Sequence, residues 1–154
     1  IKNGANPDGA PRIHNGLWTA LGDQNEALLR VLLEGGANVN IERGKGDTPF
    51  RVVCTRGLPY FAKILIEAGA NYNFKEKSLG KTSLRAAAHF GRTEMVQLLL
   101  DLGLDPDVRV DWGLAPLHVA INPETAKALI DGSANINAKA KDGNEANRSS
   151  REGE

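Results

Sequence analysis

The sequence predicts an all-α repeat fold, a row of short helix pairs that stand only by stacking, and three observations predict it. A pentapeptide of the form Gly-Ala-Asn-x-Asn recurs as Gly36-Ala37-Asn38-Val39-Asn40, Gly69-Ala70-Asn71-Tyr72-Asn73, Gly103-Leu104-Asp105-Pro106-Asp107 and Ser133-Ala134-Asn135-Ile136-Asn137, at spacings of 33, 34 and 30, and an earlier copy, Gly4 to Asp8, stands 32 before the first. A second motif keeps step with it: Thr48-Pro49-Phe50-Arg51, Thr82-Ser83-Leu84-Arg85 and Ala115-Pro116-Leu117-His118, with Asn15-Gly16-Leu17-Trp18 as a degenerate fourth copy. Periods of this length are the signature of repeat architectures. Between the motifs, each unit has room for two helices that are too short to survive alone.

The third unit shows the helix logic most clearly. Thr82 and Ser83 supply a start signal, Leu84, Ala87 and Ala88 follow, and Gly91 ends that helix. A second helix starts at Thr93, takes its apolar face from Met95, Val96, Leu98, Leu99 and Leu100, and stops at Gly103. Each helix spans about eight to ten residues, below the roughly 12–15 at which an isolated helix becomes marginal in water, so neighbours must hold it. The small residues Ala86, Ala87 and Ala88 allow close approach, and the Leu-rich second helix supplies most of the buried apolar area. The last unit lacks about three residues around Asn122-Pro123, where Pro suits a first helical position and the turn should be tight.

Composition narrows the function classes. With 154 residues, 41% hydrophobic and 25% charged, the chain has the balance of a globular protein that buries a core. Nineteen Lys and Arg against nineteen Asp and Glu give a net charge of zero, which offers no long-range attraction to nucleic acid or an anionic membrane. The single cysteine, Cys54, excludes an intrachain disulfide and fits a reducing compartment. No apolar run approaches the roughly 18–20 residues of a membrane span. The chain opens on Ile1 without signal-peptide character and reads as a piece of something longer.

Thr-Pro-Leu-His, a Gly about nine residues later, a Leu-Leu-Leu run and Gly-Ala-Asp-x-Asn together resemble the ankyrin repeat. The resemblance covers four units, residues 9–40, 41–73, 74–107 and 108–137, the last shortened. Residues 1–8 read as the end of a truncated repeat, and 138–154 as a partial repeat and a polar tail too hydrophilic to order itself. What the resemblance implies is an all-α repeat solenoid of helix-turn-helix pairs joined by β-hairpin fingers, with a concave groove. The family's repeat-tying His is kept only by His118; Trp18, Arg51 and Arg85 take its place elsewhere, which predicts weaker ties between repeats.

Catalytic readings do not assemble. His14, His89 and His118 fall in three different units at unequal positions, and Cys54 occupies the place of a small helix residue, which makes it core. Gly80-Lys81-Thr82 imitates the end of a phosphate loop, but the position of the earlier Gly is Lys75, and the repeat's own Gly-x-Thr, seen again at Gly46-Asp47-Thr48, explains it. A calcium loop begun at Asp105 fails at Arg109, Val110 and Pro116. Asn147-Arg148-Ser149 is a chance glycosylation match.

No catalytic residue, metal or cofactor is therefore expected. The sequence points to a non-catalytic interaction module, monomeric and cytoplasmic or nuclear, that binds a protein partner; the alternatives are a recruiting or regulatory segment of a larger enzyme and a structural spacer. By the register the resemblance implies, the partner meets fingertips and first-helix ends: Lys45, Asp47, Arg56, Leu79, Lys81, His89, Phe90, Asp111, Trp112 and Leu114. Trp112, Leu79, Leu114 and Phe90 would form an apolar patch with a charged rim.

Overall fold

The structure, a computed structural model, describes residues 11–44, 46–75, 82–109 and 113–140, with side chains from Gly16 onward. Among these residues there are eight helices: α1 Pro11–Gly22, α2 Glu26–Glu34, α3 Pro49–Arg56, α4 Pro59–Glu67, α5 Ser83–His89, α6 Thr93–Asp101, α7 Pro116–Val119 and α8 Pro123–Asp131. They divide between two compact units, residues 1–72 and 73–154, each holding two helix pairs. In the first, α1 packs on α2 and α3, and α3 on α4; in the second, α5 packs on α6 and α7, and α8 on α6 and α7.

From the second repeat on, the first helix of each pair starts where the second sequence motif places it, whereas α1 begins at Pro11, ahead of the motif copy at Asn15. Thr48 and Thr82 sit in extended backbone, and their hydroxyls accept the amide hydrogens of Arg51 and Arg85, both at 3.2 Å. Ala115 has no hydroxyl to offer. There His118, three residues on, reverses the roles: its Nδ1 accepts the Ala115 amide hydrogen at 3.1 Å. That places the ring proton on Nε2, which donates to the Ala138 carbonyl at 2.9 Å.

The second helix of each pair ends in one recurring geometry. Gly36, Gly69 and Gly103 take φ values of 86°, 88° and 83°, left-handed backbone that costs an L side chain strain. The turn closes with paired bonds, as in Gly103 N–H to Leu100 O and Leu104 N–H to Leu99 O, both near 3 Å. The pentapeptide then does two jobs. Its first Asn or Asp accepts the amide hydrogen two residues on, and its last reaches the next repeat: Asn40 Oδ1 accepts from Asn71 N–H at 2.7 Å, and Asp107 from Asn135 N–H at 2.9 Å.

Each unit has its own core. Leu17, Leu21, Leu29, Phe50, Val53, Cys54 and Leu65 are buried in the first, and Leu84, Ala87, Met95, Val96, Leu99 and Leu129 in the second. Three features differ from the sequence expectation. α1 runs for 12 residues rather than eight to ten, and α7 has only four because the missing residues come out of its last turn. The described parts of the fingers close on single antiparallel bridges, Arg43 to Asp47 and Lys75 to Thr82. In the first of these, the left-handed Gly44 and Gly46 turn the chain before a second pair can form.

Two of the residues that stand in place of the repeat-tying His make other contacts. Trp18 lies under the Arg43 guanidinium of the following finger at 4.7 Å, a cation–π contact in place of a hydrogen bond. Arg51 instead pairs with Asp47 of its own repeat.

Candidate interaction face

The ends of the first helices carry the most distinctive surface. α5 ends at His89 with Phe90 as its C-cap, after which Gly91 at φ 64° reverses the chain, with Arg92 N–H bonded to Ala87 O at 2.9 Å. The turn leaves Phe90 45% exposed, with the His89 ring edge-on to it at 5.1 Å. From the next repeat, the short α7 stops at Val119, and Ile121 and Asn122 come alongside Gly91 at the end of α5. Asn122 Nδ2 donates to the Gly91 carbonyl at 3.3 Å, and its Oδ1 accepts from Thr125 N–H at 2.8 Å to start α8. Ile121 stands 3.1 Å from the place a Cβ on Gly91 would take, yet is 66% exposed. Gly91 thus has Ile121 beside it and follows Phe90, whose ring is met by that of His89.

The matching place in the first unit is polar. Arg56 Nη1 donates to the carbonyls of Leu21 and Gly22, at 3.2 and 3.1 Å, where a cation suits the C-terminal end of α1. Asp47 holds its carboxylate against Arg51 one turn on, and Leu114 is half-buried just before α7. Lys45, Leu79, Lys81, Asp111 and Trp112 lie outside the described residues. Of the residues expected to meet a partner, the structure thus brings His89 and Phe90 together. Arg56 is tied to a helix end and Asp47 to its own finger.

Ile121 is absent from the sequence reading. The signal for it was the three-residue shortening before Pro123, which removes the helical turn that would otherwise carry the chain past α5.

Among the described residues no group of three or more His, Cys, Asp and Glu is placed to hold a metal ion. The Cys54 thiol is fully buried in α3. A depression of about 260 Å³ between α2 and α4 is lined by Arg30, Leu33, Glu34, Ile64, Glu67 and Ala68, with no nucleophile or histidine in it. No helix among the described residues is long and apolar enough to cross a membrane.

Residues 17–110 and 75–142 match the family model for ankyrin repeats in three copies. The chain belongs to the ankyrin-repeat family. Its fold class is accordingly the all-α ankyrin-repeat solenoid, and ankyrin repeats are protein-interaction modules. The chain is similar to XBAT31 of Arabidopsis thaliana, named as a putative E3 ubiquitin-protein ligase, at 29% identity over 133 residues. The Drosophila melanogaster E3 ubiquitin-protein ligase Ufd4 is 32% identical over 120 residues, and human Rabankyrin-5 is 28% identical over 141. These alignments cover 77%, 77% and 88% of this chain but only 29%, 4% and 11% of the relatives. The chain thus spans less than a third of each.

Proposed function

We propose that these ankyrin repeats form a non-catalytic module that binds a protein partner through first-helix ends and fingertips. The observation that supports it best is that two large apolar side chains are exposed next to Gly91: Phe90, which precedes it in the chain and has the His89 ring against it, and Ile121, which lies beside it from the next repeat. Exposed apolar clusters edged by polar groups are the usual anchors of protein interfaces. Such a surface, held on short helices whose ends are hydrogen-bonded, is formed before the partner arrives, which lowers the ordering cost of association. Fingertip residues Lys45, Asp47, Leu79, Lys81, Asp111, Trp112 and Leu114, with Arg56, supply the rest of the proposed contact surface.

A second reading is favoured by the relatives named as ubiquitin ligases. In it, the repeats recruit the substrate of a larger enzyme whose catalytic part lies elsewhere; the recognition surface is the same.

The test places a photo-crosslinking amino acid at position 89, and at Gln97 on the exposed face of α6 as control, in native cell extract. Adducts specific to position 89, lost when Phe90→Ala and Ile121→Ser are added while the thermal midpoint stays put, support the reading. Equal adducts at 89 and 97, or adducts at 89 unchanged by the two substitutions, would overturn it.

A further inference from the structure

The two units join their second helices differently. In residues 73–154, α6 and α8 pack side by side, and Leu100 of α6 fills the space beside Gly132: a Cβ there would stand 2.6 and 3.2 Å from the two Leu100 Cδ atoms. In residues 1–72, α2 and α4 do not pack side by side in this way. They are tied at their two ends. Glu26 of α2 accepts from the Tyr60 hydroxyl of α4 at 2.8 Å, and beyond the last turns Asn40 donates to Gly69 O at 3.1 Å and accepts from Asn71 N–H at 2.7 Å. Between these ties lies the open depression of about 260 Å³, where Leu33 and Ala68, in the register of Leu100 and Gly132, leave space unfilled.

The lining has two characters. Leu33, Ile64 and Ala68 are apolar, whereas Glu34 and Glu67, the last residues of α2 and α4, are exposed carboxylates. Partial negative charge collects at a helix C-terminus, and neither helix has a basic residue in its last turn to offset it. In the other unit the residues in the same register are served from their own helices: Gln97 donates to Asp101 at 3.1 Å, and Lys127 pairs with Asp131 at 2.6 Å. Here the cations four residues earlier do not serve. Arg30 is engaged by Glu26, and among the described residues Glu34 and Glu67 have no partner, Lys63 included.

We infer that the cleft between α2 and α4 is a docking site for an arginine side chain of a partner polypeptide, on residues that the proposed contact surface does not use. The aliphatic stem lies on Leu33, Ile64 and Ala68, and the guanidinium meets Glu34 and Glu67. The cleft is smaller than the roughly 300–1,000 Å³ of small-molecule sites and suits one long side chain. An apolar wall with an acidic edge matches a side chain that is apolar along its stem and charged at its tip. A guanidinium is more weakly hydrated than an ammonium and offers a fork of N–H donors to carboxylates, which favours arginine over lysine.

The test follows the Leu33 and Ile64 methyl signals of the full chain by NMR. The probe is the blocked tripeptide acetyl-Ala-Arg-Ala-amide, compared with the same peptide carrying citrulline, which keeps the shape and loses the charge. The arginine peptide is expected to shift both signals saturably and to bind at least about threefold more tightly than the citrulline peptide, the effect of one partly exposed ion pair. Glu34→Gln with Glu67→Gln should abolish that preference, and as exposed changes they leave the fold intact. Ala68→Leu, which fills the depression, should abolish binding of both peptides with the carboxylates still in place. No saturable shift, equal affinity for the two peptides, or arginine binding indifferent to either variant would overturn the inference. So would methyl shifts that grow with the concentration of the chain alone and vanish in the Gln pair, which would assign the cleft to a second copy.

Discussion

The guanidinium of Arg43 lies 4.7 Å from the centre of the Trp18 ring, joining the second finger to the first helix pair. A hydrogen-bonding His holds the equivalent place in the fourth repeat, where His118 reaches Ala138. The two solutions differ physically: an imidazole needs an acceptor at one point, whereas the face of an indole attracts any cation above it. A double-mutant cycle with Trp18→Leu and Arg43→Gln should return a coupling of about 0.5–1 kcal/mol in urea unfolding, the range for a partly exposed pair. Additive single effects would show that the contact contributes nothing in solution.

A second tie between repeats is set by charge. Glu26 Oε1 accepts from Arg30 Nε and from the Tyr60 hydroxyl, both at 2.8 Å. The Arg30 bond first, and the Tyr60 bond next, hold the Glu26 carboxyl below its ordinary value of 4.5. A lowered folded value means that the stabilisation is complete above the unfolded value and is lost as pH falls through the folded one. Tyr60→Phe should raise the Glu26 value toward 4.5, and Arg30→Gln should raise it further, read from the side-chain carboxyl shift by NMR. A Glu26 titration unmoved by Tyr60→Phe would mean that the hydroxyl bond is not made in water.

What the sequence conveyed, and what it withheld, follows from the range of each interaction. Thr48 and Thr82 as helix starts and Gly36, Gly69 and Gly103 as helix stops were legible because a cap or a left-handed turn is decided within four residues. The burial of Cys54 was legible from its place in the repeat. The roles of Trp18 and Arg56 were not, since each depends on a partner about 25–35 residues away that the repeat motif does not name. Ile121 escaped for a subtler reason: the shortened loop was visible, but the side chain it leaves exposed follows from where α7 stops. The apolar patch expected from sequence was Trp112, Leu79, Leu114 and Phe90; of these Leu79 and Trp112 lie outside the described residues, and Ile121 was not among them.

Ser133 breaks the pattern of glycine stops. It takes φ 72° where the other three repeats use Gly, and makes the same closing bonds, its own N–H to Ile130 O and Ala134 N–H to Leu129 O, both at 2.9 Å. A side chain in left-handed backbone costs about 1–2 kcal/mol relative to glycine. Ser133→Gly should therefore stabilise the chain by about 1 kcal/mol, after the entropy that glycine adds to the unfolded state is subtracted. The urea midpoint measures this, with Ser133→Ala as the control expected to give no gain.

The reverse substitution separates backbone strain from packing. Gly103 and Gly91 both have positive φ, but nothing lies within 4 Å of a Cβ on Gly103, whereas on Gly91 it would stand 2.5 Å from Asn122 Nδ2 and 3.1–3.2 Å from Ile121. Gly103→Ala should cost the backbone strain alone, about 1–2 kcal/mol. Gly91→Ala must also push aside Asn122, whose Nδ2 binds the Gly91 carbonyl and whose Oδ1 caps α8. Loss of such a cap adds about 1 kcal/mol, so Gly91→Ala should be the worse of the two by at least that much. If the displaced side chain is the cause, Gly91→Ala combined with Asn122→Ala should cost less than the two changes summed. Equal costs at positions 91 and 103 would mean that the turn after α5 and the α7–α8 loop do not approach this closely in solution, and the placement of Ile121 beside Gly91 would go with them.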